Sequence, residues 1–375
     1  MRARRNYSYS SDQLLVIFSD IYLSEQINAF VEVLRSNKPE ADVVLLYQND
    51  LPPIHTYMEK HFKNILTIQV SSRSGMLKAF AQLFYNFSKH QNVFTNGYLA
   101  TQIGMVFAYF ARIPNRVFVR HHGYLHHRLN KPFHRLFDSF LGMLATKVLT
   151  VSKSNCQLMR FEGINEAKIS LVPNGFNLDL NSPIGSVLPT NERFNVLVVA
   201  RNVEWKGIEY ALAGFYQFWK SNPRSTLTIC GSSGESTAAL IEMVELKELD
   251  FKKSVIFQGW SLDIPARLRE SNALIHVPIG PYDESFGQIY VEGLLSHTSC
   301  IFTISGVLHE IPHIEDYAYL VPFENSQRIT DALLDVYHNS SQKKKMKINN
   351  FFQFGIDLST LNMSRRYLQS IVIKD

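Results

Sequence analysis

Apolar residues in this chain gather in short runs that stop at glycine, proline or a polar turn, and each run is followed by a longer stretch with helical spacing. Residues 194–200 (FNVLVVA) are of this kind and lead directly into Arg201. A run so short, rich in valine and without polar alternation, predicts a strand buried on both faces. Ile208, Leu212, Phe215 and Trp219 then recur every three or four residues, which predicts a helix with one apolar face. The couplet repeats: LTIC ends at Gly231, VIFQ ends at Gly259, and residues 272–277 (NALIHV) are closed by Pro278. The first half has the same rhythm, with strands predicted near 13–18, 42–47, 65–70, 92–96, 116–121, 147–151 and 169–173. Strands alternating with helices imply an α/β protein whose parallel sheets are covered on both faces.

The rhythm fails over residues 176–192, where Asn, Pro, Ser and Gly collect. With 375 residues and about 150 per domain as a prior, that break divides the chain into domains at 1–175 and 193–355 with a linker at 176–192. A last helix, predicted near 362–373 within a closing segment 356–375, is expected to cross back onto the first domain.

Arg2, Arg4 and Arg5 are followed by a polar run rather than an apolar core, so no signal peptide is read. No stretch of eighteen apolar residues suggests a membrane span. Three cysteines, an odd number in a long chain, do not make a disulfide framework. These features point to a cytoplasmic protein, with the inner face of the cytoplasmic membrane as the place where it would meet a membrane-borne partner. The net charge of +5 and pI near 8.9 raise the question of anionic partners. The cations form no single stripe and no nucleic-acid motif appears, so nucleic acid is not expected. Two segments look amphipathic: residues 76–87 with Leu77, Phe80, Phe84 and Phe87, and residues 130–145 with Phe133, Leu136, Phe137 and Phe140 beside Arg128, Lys131 and Arg135. Each stripe reads either as a core face or as a surface that rests on an anionic membrane. Lys343, Lys344, Lys345 and Lys347 read as the solvated face of a late helix.

The segment with the most chemistry lies between Pro278 and Glu310. Pro278 and Gly280 stop the strand, a loop follows, and Ile289, Glu292 and Leu295 fall at helical spacing from Gly287 onward. Ser285, Phe286, Gly287 and Gln288 therefore lie at a helix start, where unpaired backbone N–H groups attract an anion. Gly287 admits a ligand close to the backbone. Glu284 in the loop and Glu292 more than a turn into the helix flank this point, spaced to accept hydroxyls from two parts of one ligand. A sugar joined to a nucleoside diphosphate has that shape. Two glutamates eight residues apart are common on solvated surfaces, so the context matters. Arg201, Gly231, Gly259 and the Glu284 loop all fall at the carboxyl ends of strands, where such sheets bind ligands.

Asn174-Gly175 after residues 169–173 (ISLVP), Arg201 with Lys206-Gly207, residues 284–292 (ESFGQIYVE) and residues 305–310 (SGVLHE) occur in an order and spacing that resemble the retaining glycosyltransferases of family 4. The resemblance covers roughly residues 146–335; before that only the rhythm and His121-His122-Gly123 agree. It implies two Rossmann-like domains facing each other across a cleft, the GT-B fold. It also implies transfer of a sugar from a UDP-, GDP- or other nucleoside-diphosphate donor to a hydroxyl of a glycan or lipid-linked acceptor, with anomeric configuration kept. Cell-surface polysaccharide or lipopolysaccharide synthesis is the usual setting.

By the same resemblance Arg201 and Lys206 would hold the diphosphate, Glu292 the ribose, and Glu284 the transferred sugar, with Gly231, Ser285, Phe286, Gly287 and Gln288 completing the donor site. His122 would face the donor sugar, with Asn96, His121 and Gly123 on the acceptor side. Catalytic roles then fall to Glu284, His122, Arg201 and Lys206, Glu284 chiefly by positioning. The chemistry of the residues agrees: negative charge grows on the departing diphosphate, and fixed cations aimed there stabilise the transition state more than the ground state. Arginine grips phosphate oxygens as a fork and lysine supplies a compact charge. No Asp-x-Asp triplet occurs, so no divalent metal or other cofactor is expected. A neutral imidazole at position 122 can donate to and accept from sugar hydroxyls, although His126, His127, Arg128 and His134 make a solvated basic cluster the plain alternative. Two departures stand out: the first strand is followed by Ser19-Asp20-Ile21-Tyr22 without the glycines many relatives carry, and Asn96-Gly97 stands where relatives often have histidine. Other function classes compatible with the residues are a sugar-nucleotide epimerase of the same fold, which needs no acceptor, and a non-catalytic basic protein that binds membranes or nucleic acid.

Overall fold

The computed structural model describes residues 13–19, 25–49, 51, 54–128, 130–177, 193–259, 263–296, 298–338, 355 and 357–371. The expectations for residues 2–5, for most of the linker and for the 343–347 lysines lie outside the described residues. The chain forms two compact units, residues 1–177 together with 358–375, and residues 178–357.

In the first unit seven strands pair in parallel: β1 (Leu14–Ser19), β2 (Asp42–Tyr47), β3 (Ile65–Gln69), β4 (Asn92–Asn96), β5 (Asn115–Arg120), β6 (Lys147–Thr150) and β7 (Ile169–Leu171), in the order β3-β2-β1-β4-β5-β6-β7. All six β1 residues are buried. Side chains alternate across a strand, so Leu15 and Ile17 enter one core with Ala79, Leu83, Phe107 and Leu141, while Leu14, Val16 and Phe18 enter a second core with Phe30, Val43 and Tyr367. Burying each large apolar side chain is worth about 1.5–3 kcal/mol. The helix Thr360–Ile371 packs against the helix Glu25–Asn37, with Tyr367 edge-on to Phe30 at 5.3 Å. A bridge between Phe176 and Ser359 ties its start to the end of the unit's own chain.

The second unit holds a six-stranded parallel sheet: β8 (Asn195–Val199), β9 (Thr226–Cys230), β10 (Val255–Gln258), β11 (Ala273–His276), β12 (Ser299–Phe302) and β13 (Tyr319–Leu320), ordered β10-β9-β8-β11-β12-β13. Its helix Ile208–Ser221 carries Ile208, Leu212, Phe215 and Trp219 into the core as their spacing predicts. Both units are thus α/β with parallel sheets. In each, the first three strands wind outward on one side and the next ones on the other. The order reverses between β1 and β4 in one unit and between β8 and β11 in the other, and crevices at such reversals are where doubly wound sheets take ligands.

The amphipathic stripes divide unexpectedly. On the helix Arg73–Phe87 the core takes Ala79, Leu83 and Phe87, while Leu77 and Phe84 are exposed. On the helix Pro132–Leu144 the core takes Leu141 and Leu144, while Phe133, Leu136 and Phe140 are exposed. Among the described residues no helix is long and apolar enough to cross a membrane.

Candidate functional site

The reversal between β8 and β11 is built by close backbone packing. After β8 the chain makes a short turn at Glu204–Lys206 and reaches Gly207 in the left-handed conformation (φ 65°) before the helix begins. A Cβ there would collide with the Val277 carbonyl oxygen, so glycine is what lets the Lys206 turn lie on the end of β11. The Ile279 N–H donates to the Trp205 carbonyl at 3.2 Å across the same junction. A second segment fixes the Glu284 loop. Thr303 Oγ1 donates to the Pro278 carbonyl (2.7 Å), Ser305 Oγ donates to the Pro281 carbonyl (3.1 Å), and the Glu284 N–H donates to Ser305 Oγ (3.1 Å). The Val307 N–H donates to the Phe286 carbonyl at 2.9 Å. Gly306 has φ 55°, and a Cβ would lie 2.5 Å from that carbonyl oxygen and 2.9 Å from Glu284 Cβ.

Glu284 is buried at 8% exposure. Its Oε1 accepts from Lys206 Nζ and from His276 Nε2, the latter at 2.7 Å. Both bonds fall on one oxygen, and among the described residues none donates to Oε2. Burial pushes the Glu284 carboxyl up, but the Lys206 ammonium and the His276 hydrogen bond outweigh it and hold the group down to about 2. Burial lowers His276 despite the pull of Glu284, so its imidazole is neutral. A carboxylate only accepts, so the His276 proton sits on Nε2 and Nδ1 is an acceptor. That Nδ1 is buried with no hydrogen-bond partner among the described residues. The ring also packs edge-on against Tyr290 (4.8 Å), whose hydroxyl donates to the Thr303 carbonyl at 3.0 Å. The Glu284 carboxylate is thereby held by Lys206 and by a histidine that Tyr290 backs.

The other candidates of this unit lie in separate local settings. Arg201 is exposed, with its guanidinium 5.9 Å from the centre of the buried Trp205 ring. Gly231, at the end of β9, abuts the Ala200 carbonyl, where a Cβ would not fit. The helix begins at Gln288 rather than Gly287 and runs to Ser296, with Glu292 half-buried on it. Phe286 is buried and anchors the loop, Ser285 and Gly287 are half-buried, and Gln288 is exposed.

In the first unit, the described residues at the equivalent reversal are uncharged. Gly97 (φ 109°) follows β4 and presses on Ser19 at the end of β1, whose Oγ accepts from the Ala100 N–H at 2.8 Å. The glycine absent after β1 is thus supplied after β4; residues 20–24 lie outside the described residues. The two histidines after β5 turn to different partners. His121 Nε2 lies 2.8 Å from Asn96 Oδ1, while His122 Nε2 lies 3.1 Å from Oδ2 of the buried Asp138, with the Tyr98 ring edge-on at 5.3 Å. Burial and Asp138 push the Tyr98 hydroxyl up to about 12, so it stays protonated. Below Gly123, Arg120 forks onto Glu162, and His127 Nε2 contacts the same carboxylate at 3.0 Å. Part of the basic cluster is therefore structural.

Two residues in these groups escaped sequence reasoning, His276 and Asp138, while Ser305 was legible only as the first residue of the 305–310 motif. His276 carried one signal, a lone histidine at the end of an otherwise apolar strand. Asp138, a single acid between Phe137 and the apolar positions that follow, carried a similar one.

Residues 185–351 match the family model described as Glycosyl transferases group 1. This segment is a glycosyltransferase domain. Solved structures resemble the fold over 96% of the chain. HepE of Anabaena in complex with UDP is 17% identical with a TM-score of 0.77, covering 96% of this chain and 99% of its own. A glycosyltransferase from Rickettsia africae is 18% identical with a TM-score of 0.70 and coverage of 96% and 98%. The lipopolysaccharide outer core galactosyltransferase WaaB in its apo form is 15% identical with a TM-score of 0.65 and coverage of 96% and 99%. At these identities the likeness is one of fold. No curated protein sequence matches the chain.

Proposed function

We propose that the chain is a retaining, metal-independent glycosyltransferase that moves a sugar from a nucleoside diphosphate to an acceptor hydroxyl. The observation that carries this reading is the Glu284 carboxylate, tied through Oε1 to Lys206 and His276. A carboxylate anchored by one oxygen keeps the other for sugar hydroxyls and stays ionised without moving. Lys206 has three N–H donors and gives one to Glu284, so it can bind a phosphate oxygen beside the sugar without abandoning that bond. Arg201, exposed on the same loop with its guanidinium 5.9 Å from the centre of the Trp205 ring, supplies the second cation. Together they take the charge that grows on the departing diphosphate, the part a divalent ion plays in metal-dependent transfer. Glu292 takes the ribose and the backbone N–H groups of residues 286–288 face the diphosphate. In the first unit His122, 3.1 Å from Asp138, is assigned to hydrogen-bond a sugar hydroxyl, and Asn96, His121 and Gly123 to the acceptor.

HepE has been crystallised with UDP and with UDP-glucose, which makes UDP-sugars the first donors to test. A glycan or lipid-linked acceptor of cell-surface polysaccharide or lipopolysaccharide synthesis fits the fold's relatives, WaaB among them. The experiment is a thermal-shift screen of nucleoside diphosphates and their sugar conjugates in EDTA, followed by turnover with and without acceptor. A stabilising ligand raises the melting temperature. One responding nucleotide, abolished by Arg201→Ala, with turnover only when acceptor is present, supports transfer. Turnover without acceptor moves the reading to epimerisation, and dependence on added metal removes the role given to Arg201 and Lys206.

A further inference from the structure

In the first unit the helices Arg73–Phe87, Tyr98–Phe110 and Pro132–Leu144 form one layer over a face of the sheet, the middle helix touching both neighbours. The inner side of the layer fills the core with Ala79, Leu83, Phe107 and Leu141. The outer side is also apolar. On the third helix Phe133 (84% exposed), Leu136 (69%), Phe140 (41%) and Met143 (63%) follow one another at steps of three and four and so share one stripe. Leu77 (73%) and Tyr85 (74%) stand out from the first helix, and Tyr109 and Phe110 from the end of the second. Single exposed apolar residues are ordinary on a soluble protein, but a gathering of large ones on one layer marks a contact surface.

The charges on this layer say what kind of surface it meets. Its three helices contain one acid, Asp138, and that one is buried against His122. Arg73, Lys78 and Lys131 are exposed on the helices or at their starts, as are Lys89 and Arg112 just past their ends. The unit as a whole has 23 Lys and Arg against 12 Asp and Glu, a net of +11, whereas the second unit has 15 against 21, a net of −6. A second copy docking through the same face would bring cations against cations, since a two-fold contact pairs a patch with itself. An acidic bilayer satisfies both halves of the pattern, taking Phe, Leu and Met into the headgroup–acyl boundary and pairing Lys and Arg with lipid phosphates.

We infer that this helical layer is a docking face for an anionic lipid surface, held peripherally through the Phe133–Leu136–Phe140–Met143 stripe. Transfer to a soluble glycan has no need of such a face; transfer to a lipid-linked acceptor does, because the face keeps the enzyme where the acceptor is.

The test uses the full chain and co-sedimentation with vesicles of phosphatidylcholine alone or with about one third phosphatidylglycerol. Binding to the acidic vesicles is expected to be at least about tenfold stronger and to weaken at high salt. Phe133→Ser combined with Leu136→Ser is expected to reduce it about tenfold or more, with circular dichroism and melting temperature unchanged because both side chains lie in solvent. Leu246→Ser, equally exposed but in the second unit, is expected to leave it unaltered. Absence of binding to acidic vesicles, or binding untouched by the double variant, overturns the inference. So does a concentration-dependent dimer, detected by light scattering, that the double variant dissolves, because a second copy would then cover the face.

Discussion

The two sheets reverse strand order in the same way and place opposite chemistry at the reversal. Between β8 and β11 the loop ends converge on a buried carboxylate with a lysine and a neutral histidine on one of its oxygens. Between β1 and β4 they converge on Ser19, Asn96 and Gly97, all uncharged, with histidines arriving from β5. Unit charge runs the other way, since the unit with the ionic centre is net acidic and the other unit net basic. The contrast teaches that topology chooses where a ligand goes and local side chains choose what it is. One reversal gathers a fixed, ionised carboxylate with a cation, the arrangement on which the proposed sugar-nucleotide site rests. The other lies in a unit that exposes Arg73, Lys78, Lys89, Arg112 and Lys131 on or beside its outer helices, the cations on which the proposed docking face rests.

The strongest way to break this contrast is to remove Lys206. Lys206→Ala leaves Glu284 buried and uncompensated, so transfer is expected to fall at least about a hundredfold and the second unit to lose about 3–5 kcal/mol, measured by initial rates and urea unfolding. Arg201→Ala separates the two effects. It is expected to cut the rate at least about tenfold with unfolding unchanged, because Arg201 is exposed. A stability loss for Arg201→Ala equal to that of Lys206→Ala would mean that both cations are structural.

Acid sharpens the comparison next. The carboxyl of Glu284 sits near 2 in the folded chain against an ordinary 4.5, so the unfolded chain binds the proton first and stability rises with pH through this window. The contribution is complete above about 4.5 and lost as pH falls towards 2. Glu284→Gln is expected to flatten the unfolding free energy between these limits, and an unchanged slope would show that other carboxylates set it. His276 has the same sign, being lowered by burial. His276→Gln keeps a donor to Glu284 and is expected to retain most activity, whereas His276→Phe costs about 1–3 kcal/mol of stability and raises the donor KM. Equal losses for the two would limit the histidine to packing. The smallest effect is expected in the first unit. Asp138→Asn keeps the shape but weakens its hold on His122, so kcat is expected to fall severalfold with the donor KM unaltered. A donor KM that rose instead would place His122 in binding rather than in the transfer step.

The fold was legible because buried parallel strands have a blunt signature: β1, β8 and β11 are apolar on both faces, and no alternation competes with that reading. Residues Arg201 to Gly207 and Glu284 to Gln288 were legible as positions for the same reason, since strand ends are easily located. Their partners were not. That Lys206 touches Glu284, seventy-eight residues away, depends on Gly207 fitting beneath Val277, and no local pattern announces such a fit. His276 looked like strand filler until its ring nitrogen met the carboxylate. The aromatic stripes were ambiguous because both faces of their helices are apolar. Periodicity reveals a face only when its opposite is polar, and here the helices Arg73–Phe87 and Pro132–Leu144 bury one apolar set and expose another.

Gly207 and Gly306 set a limit on how this protein can change. Each lies where an added carbon would strike a neighbour's carbonyl oxygen, and backbone, unlike a side chain, cannot swing aside. Every missense change that a single base can make in a glycine codon adds that carbon. In a random library selected for activity, these two codons are therefore expected to return as glycine while the exposed loops around them diversify, and the Glu284 loop would be inherited through what is missing beside it.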